Sequence, residues 1–149
     1  MALLKAFNND SSKLLGLIAD AKELGIDFTD TYTIYNLMVS EDLLKQLLAL
    51  SDTGFLTKIA NDIRALHIAE SNHHGLVFRD IIMAKFSGQS YLANNFVKEL
   101  EGYNIQLGEQ LWQDKLMSNL DLFVSLSNYS RLGFLGKVAM LQTHFNKKG

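Results

Sequence analysis

The chain has 149 residues, 48% of them hydrophobic and 20% charged, and it contains no cysteine and no proline. This length suits one domain with one buried core, and the composition excludes a disordered or fibrous chain, disulfides and thiolate metal ligands. No apolar run approaches the roughly 18 to 20 residues that a membrane-spanning helix needs, and a net charge of −2 gives no general attraction for nucleic acid.

The first ten residues carry one lysine and a short apolar patch, followed by two asparagines and an aspartate. They lack the long apolar centre and the cleavage site of a secretory signal. We therefore expect a cytoplasmic protein that has no membrane partner.

The first part of the chain predicts short helices separated by polar breaks. Asp10 is a capping candidate for a helix whose apolar residues recur near a 3.6-residue period, and Gly25 supplies a left-handed stop. A link and a shorter helix lead to Ser40, which caps a leucine-rich helix over 41–50. After a break at 52–54, the pattern predicts a further helix that runs toward Gly75.

The second part continues in the same way. Residues 76–86 are apolar nearly all round, which predicts a helix that is central or meets a partner. Further helices are predicted over 91–100, over 105–129 as one or two segments, and over 134–145. No segment alternates with period two for long enough to form a strand. We expect an all-α fold, with residues 1–149 forming a compact single-domain bundle of seven or eight short antiparallel helices.

Two segments of the sequence resemble each other. Residues 54–60 and 133–139 match at five of seven positions, and each follows a leucine-rich helix. One interpretation is a duplicated helical hairpin. The other is that two helices begin with the same turn chemistry by chance.

The region between Asp20 and Asp52 is acidic and holds only two basic residues, Lys22 and Lys45. Acidic side chains interleaved with aromatic ones suit a surface that covers a basic partner. The chain also lacks a catalytic motif, so we expect a non-enzymatic protein-binding domain, most concretely a toxin-neutralising immunity protein or antitoxin. The predicted partner-binding residues are Asp27, Phe28, Asp30, Tyr32, Tyr35, Glu41 and Asp42.

An alternative site lies in a cluster of polar side chains near Gly75. Arg64, His67 and Glu70 together suit phosphodiester chemistry, with Arg64 as anion clamp and His67 as general base. His67, Glu70, His73 and His74 are the candidates for a metal site, because a helix would place most of them on one face. The competing interpretation is that these side chains complement the end of a helix.

Other ligand classes have little support in the sequence. There is no Gly-rich phosphate loop and no dinucleotide fingerprint, so we expect no cofactor. Basic residues are too few for a broad contact with nucleic acid. A third hypothesis is self-association through the apolar helix at 76–86, which leaves a homo-oligomer open.

Overall fold

The computed structural model of the protein describes residues 10–72, 75 and 77–147. These residues form nine helices and no strand, which confirms the predicted all-α class with slightly more helices than expected. In chain order the helices are α1 Ser11–Glu23, α2 Thr31–Val39, α3 Glu41–Asp52, α4 Phe55–Ile68, α5 Phe78–Lys85, α6 Ser90–Glu101, α7 Gln110–Met117, α8 Leu120–Arg131 and α9 Phe134–Phe145.

The chain divides into two compact units. The first unit comprises residues 1–60 and 140–149, and the second comprises residues 61–139. Both boundaries fall inside helices, one within α4 and the other within α9. The single domain over 1–149 stays a prediction.

Helix starts follow the predicted caps. The carboxylate of Asp10 accepts hydrogen bonds from the backbone N–H groups of Ser12 and Lys13 at 3.1 and 3.2 Å. The hydroxyl of Ser40 accepts one from the N–H of Leu43 at 3.4 Å. These side chains satisfy N–H groups that have no partner within the helix, which is why the two helices begin where the sequence indicates.

The core of the first unit is mainly aliphatic. Helix α1 buries Leu14, Leu17 and Ala21. In the loop that follows, Phe28 is buried and meets the ring of Phe145 edge-on, with ring centroids 5.7 Å apart. Burying such a side chain contributes about 1.5 to 3 kcal/mol, so this loop is fixed by packing as well as by hydrogen bonds.

The core of the second unit contains an aromatic stack. The rings of Phe96 and Phe123 are parallel within 3°, with centroids 5.9 Å apart. Phe86 lies 5.3 Å from Phe96, and Phe78 lies 6.3 Å from Phe123. These four side chains join α5, α6 and α8, or the residues that end them, into one packed layer.

Two predicted helix boundaries are wrong. Helix α4 ends at Ile68 rather than near Gly75, because the following segment bonds elsewhere: the hydroxyl of Ser118 contacts the backbone N–H and C=O of Asn72 at 3.1 and 2.9 Å. The apolar segment predicted over 76–86 forms the shorter helix α5, and Leu76 lies outside the described residues. None of the described helices is long and apolar enough to cross a membrane.

Candidate protein-binding surface

Helix α2 is short and rich in β-branched and aromatic residues, which are mediocre helix formers. Its start is fixed by Asp30, whose carboxylate accepts hydrogen bonds from the backbone N–H and the hydroxyl of Thr33 at 3.4 and 3.3 Å. The cap compensates for part of the low intrinsic helix propensity.

The inward side of α2 carries two polar side chains, Thr33 and Asn36, beside the half-buried Leu37. Thr33 is the one residue of this helix that is fully buried, and its hydroxyl lies 3.5 Å from the side-chain oxygen of Asn146. The side-chain amide of Asn36 donates to the carbonyl oxygens of Phe145 and Lys147 at 2.8 and 2.9 Å. The carbonyl groups at the end of α9 therefore receive donors from α2, and α2 is held in the first unit by hydrogen bonds.

The outward side of α2 is apolar. At 100° per residue, the exposed apolar side chains span an arc of about 160°, opposite the arc of Thr33 and Asn36. This arrangement reverses that of an ordinary surface helix, whose apolar stripe faces the core. We call this set the α2 surface; its members and exposed fractions are Tyr32 44%, Ile34 41%, Tyr35 60%, Met38 77% and Val39 62%.

Exposed acidic residues flank the α2 surface at both ends. Asp30 precedes α2, and Glu41 and Asp42 form the first turn of α3. Nine helical residues separate the two groups by about 13 Å, so the acids bracket the apolar face and do not form one cluster. Each acid also stabilises the helix N-terminus where it lies.

Two of the predicted partner-binding residues have structural roles instead. Phe28 is buried against Phe145, so its ring is not exposed for the predicted role as a partner anchor. Asp27 is half-buried, and its carboxylate accepts hydrogen bonds from the N–H and hydroxyl of Thr29 at 2.9 and 2.7 Å. These bonds lower the pKa of Asp27 and fix the loop before α2.

An open pocket adjoins the C-terminal end of α2. Its apolar part is formed by Val39, Leu43 and Met140, and Met140 is itself 40% exposed. The polar residues around it are Asn36, Ser40, Asp42, Gln46, His144 and Lys147. A concave apolar spot beside a convex apolar helix face suits an anchoring side chain from another protein.

Of the alternative catalytic residues, His67 is held by several contacts. The ring of His67 is half-buried, and its Nε2 lies 2.8 Å from the carbonyl oxygen of Tyr103. A carbonyl can only accept, so Nε2 carries the proton. The same ring meets Trp112 edge-on at 5.0 Å, and the ammonium of Lys115 donates to the backbone carbonyl of His67.

The remaining members of the cluster differ in their surroundings. Arg64 is exposed and donates to the side chain of Asn61 at 3.2 Å. Glu70 follows the end of α4, so the predicted helical face shared with His67 is wrong. His73 and His74 lie outside the described residues. Within the part of the chain that the structure describes, no group of three or more His, Asp or Glu side chains is arranged to hold a metal ion.

Two half-buried acids of the second unit, Asp62 and Glu99, have raised pKa values. Burial raises the pKa of Asp62, partly offset by a hydrogen bond with Tyr129. Burial likewise raises the pKa of Glu99, whose carboxylate accepts from the hydroxyl of Ser130 at 3.0 Å. Burial and the charge of Asp62 raise the pKa of Tyr129 to about 12. The direction of each shift follows chiefly from burial of the group.

Sequence reasoning missed Ile34, Met38 and Val39 as members of the α2 surface, because apolar residues at helical spacing usually face a core. The signal in the sequence came from two polar residues: Thr33 and Asn36 stand three residues apart within 32–39, where every other residue is apolar or aromatic. Tyr35, which was predicted, lies beside both missed residues Met38 and Val39 at the i+3 and i+4 positions.

Comparison of the chain with protein-family models, with curated proteins and with solved structures found no match.

Proposed function

We propose that this chain is a non-enzymatic protein-binding domain that docks a basic partner on the α2 surface. The observation that carries the proposal is the reversed orientation of α2, with Thr33 and Asn36 inward and Tyr35 and Met38 outward. Contiguous apolar side chains on a folded surface mark sites of association, because their burial against a partner is favourable.

The side chains on this surface suit binding energetically. Met38 is flexible and fits irregular partner surfaces, and Tyr35 offers a large amphipathic ring with little conformational entropy to lose. Full burial of each side chain contributes about 1.5 to 3 kcal/mol. The pocket formed by Val39, Leu43 and Met140 offers a further place for an anchor.

Charge argues for a basic partner over a second copy of this chain. Between Lys22 and Lys45 the sequence holds five acids, and no lysine, arginine or histidine. If α2 packed against the same helix of a second copy, Asp30 or Glu41 would meet another acid in either orientation. Like charges across an interface are costly, whereas Lys and Arg around an apolar patch would complement these ends.

An immunity protein or antitoxin is the most concrete form of the proposal. Toxins that attack nucleic acid have basic clefts, and an acidic, aromatic surface is suited to covering such a cleft. A non-enzymatic role is also consistent with His67, whose ring is occupied by contacts to Tyr103 and Trp112.

The proposal is tested with a disrupting variant and a matched control. Met38→Lys places a charge in the α2 surface, and Leu15→Lys places one at a similarly exposed apolar position of α1, 66% exposed in the same unit. Tagged wild type and control should both retain a basic polypeptide from native lysate, and Met38→Lys should not. When co-expressed with that polypeptide in cells, wild type and the control should neutralise its toxicity, and Met38→Lys should not. Equal retention by all three chains would contradict the proposal.

A further inference from the structure

Eight of the nine described helices occur in two series with the same order, and α5 lies between the series. Helices α6, α7, α8 and α9 each begin 79 residues after α1, α2, α3 and α4, respectively. Without any gap, residues 10–68 align with residues 89–147, and 13 of these 59 positions are identical. The similarity around Gly54 and Gly133 is therefore one part of a longer correspondence.

Backbone turns recur at equivalent positions. Gly54 and Gly133 have φ values of 81° and 85°, and each donates its N–H to the carbonyl three residues earlier. Gly25 has a φ of 85°, and its equivalent Asn104 has a φ of 62°. Asn104 is a non-glycine residue in the left-handed region, which is uncommon, so a shared turn is a better explanation than chance.

Core positions recur as well. Leu17 and Phe96, Ile26 and Ile105, and Leu47 and Leu126 are equivalent pairs, and all six side chains are buried. The boundaries between the two units, after residues 60 and 139, are also 79 positions apart. Each unit thus contains the first three helices of one series, the start of its fourth helix, and the end of the fourth helix of the other series.

Residues at equivalent positions contact the end of the fourth helix in each unit, although they use different carbonyl groups. In the first unit Thr33 contacts Asn146, and Asn36 donates to carbonyl groups at the end of α9. The equivalent residues in the second unit are Trp112, His67 and Lys115. Trp112 contacts the ring of His67, and Lys115 donates to the carbonyl of His67.

We infer that residues 10–68 and 89–147 are two copies of one helical unit, and that only the first copy carries the docking face. The second part rests on the proposed function. Met38 is 77% exposed, whereas its equivalent Met117 is 4% exposed; Tyr35 is 60% exposed, whereas its equivalent Asp114 is 7% exposed. Two positions that α2 exposes are therefore buried in α7, whereas Leu111, the equivalent of Tyr32, remains 49% exposed.

The lack of cysteine makes this inference accessible to thiol labelling. Single variants Ile26→Cys and Ile105→Cys probe equivalent core positions, and Met38→Cys and Met117→Cys probe the divergent pair. Folding of each variant is checked by circular dichroism. Maleimide labelling is then followed in buffer and in denaturant, so that each rate is expressed relative to its own unfolded chain.

The two isoleucine variants should be protected to a similar degree. In buffer, Met38→Cys should label at nearly the rate of its own unfolded chain. Met117→Cys should label at least about a hundredfold more slowly than its own unfolded chain. Equal protection at the two methionine positions, or strong protection at only one isoleucine position, would overturn the inference. If Met117→Cys fails to fold, hydrogen exchange of the wild type replaces it, and α7 should exchange more slowly than α2.

Labelling in the presence of the captured partner tests the proposed function separately from the duplication. Added partner should slow labelling of Met38→Cys at least about tenfold, as expected for a site buried in a complex. If the labelling rate stayed unchanged while the contrast with Met117→Cys remained, the proposed function would fail and the duplication would stand.

Discussion

The side-chain amide of Asn36 donates a hydrogen bond to the carbonyl oxygen of Phe145 at 2.8 Å, across 109 positions of sequence. The same amide reaches the carbonyl of Lys147 at 2.9 Å. One polar side chain thereby fixes which side of α2 faces inward, and so which side chains are exposed.

Removal of this amide should destabilise the protein. Asn36→Leu leaves two carbonyl groups without their donor, which should lower the free energy of unfolding by about 1 to 3 kcal/mol. It should also speed hydrogen exchange in α2. Chemical denaturation and exchange mass spectrometry measure these effects, with Asn95→Leu at an exposed position of α6 as the control. An unaltered exchange rate in α2 would show that the amide does not position the helix.

Two of the three aromatic residues predicted to bind a partner, Phe28 and Tyr35, should differ in their contribution to stability. Phe28→Ala removes a buried ring that packs on Phe145, so we expect the free energy of unfolding to fall by about 3 to 5 kcal/mol. Tyr35→Ala removes an exposed ring, and its effect should stay within about 0.5 kcal/mol. Thermal and urea unfolding provide both values. Similar losses for the two variants would place Tyr35 in the core.

His67 should behave as a structural residue that an amide can replace. His67→Ala removes the donor to the carbonyl of Tyr103 and should lower the free energy of unfolding by about 1 to 3 kcal/mol. His67→Asn should recover part of this loss, because its equivalent Asn146 donates at 2.8 Å to the carbonyl of Gly25, one position after the equivalent of Tyr103. Urea unfolding measures the free energy of unfolding of both variants. If His67→Asn were no more stable than His67→Ala, the equivalence of His67 and Asn146 would be contradicted.

Stability should depend on the protonation of Glu99. Burial raises the pKa of this side chain in the folded chain, so the folded state binds more protons than the unfolded state just above the ordinary glutamate pKa. The contribution of Glu99 to the free energy of unfolding should therefore increase as pH falls toward the ordinary glutamate pKa. Glu99→Gln should make the slope of the free energy of unfolding against pH less negative. The exposed Glu101→Gln controls for loss of one charge, and an unchanged slope in Glu99→Gln would exclude this carboxylate as a source.

Local features of the fold could be predicted because their causes are local. Asp10 and Ser40 cap helices with bonds to residues two or three positions away, and Gly25 ends a turn through its own backbone conformation. Helix existence and class follow from such signals and from periodicity.

The orientation of α2 could not be predicted from local sequence. Its polar partners Phe145, Asn146 and Lys147 are more than 100 positions away, and without them the apolar side chains of α2 indicate a buried stripe. The position at which α4 ends also depends on a distant residue, because the backbone of Asn72 bonds to Ser118. The duplication was visible only where the two copies kept five of seven residues, because elsewhere they retain burial and turns but few identities.

The most direct test of the central claim is a calorimetric titration of the captured basic partner against wild type, Met38→Lys and Leu15→Lys. Both positions are exposed and apolar, so the two substitutions add the same charge at similar cost to stability. We predict that Met38→Lys weakens the affinity at least about thirtyfold, the effect of losing a central interface residue, and that Leu15→Lys binds like wild type. Wild-type affinity in Met38→Lys would contradict the assignment of the α2 surface as the binding site.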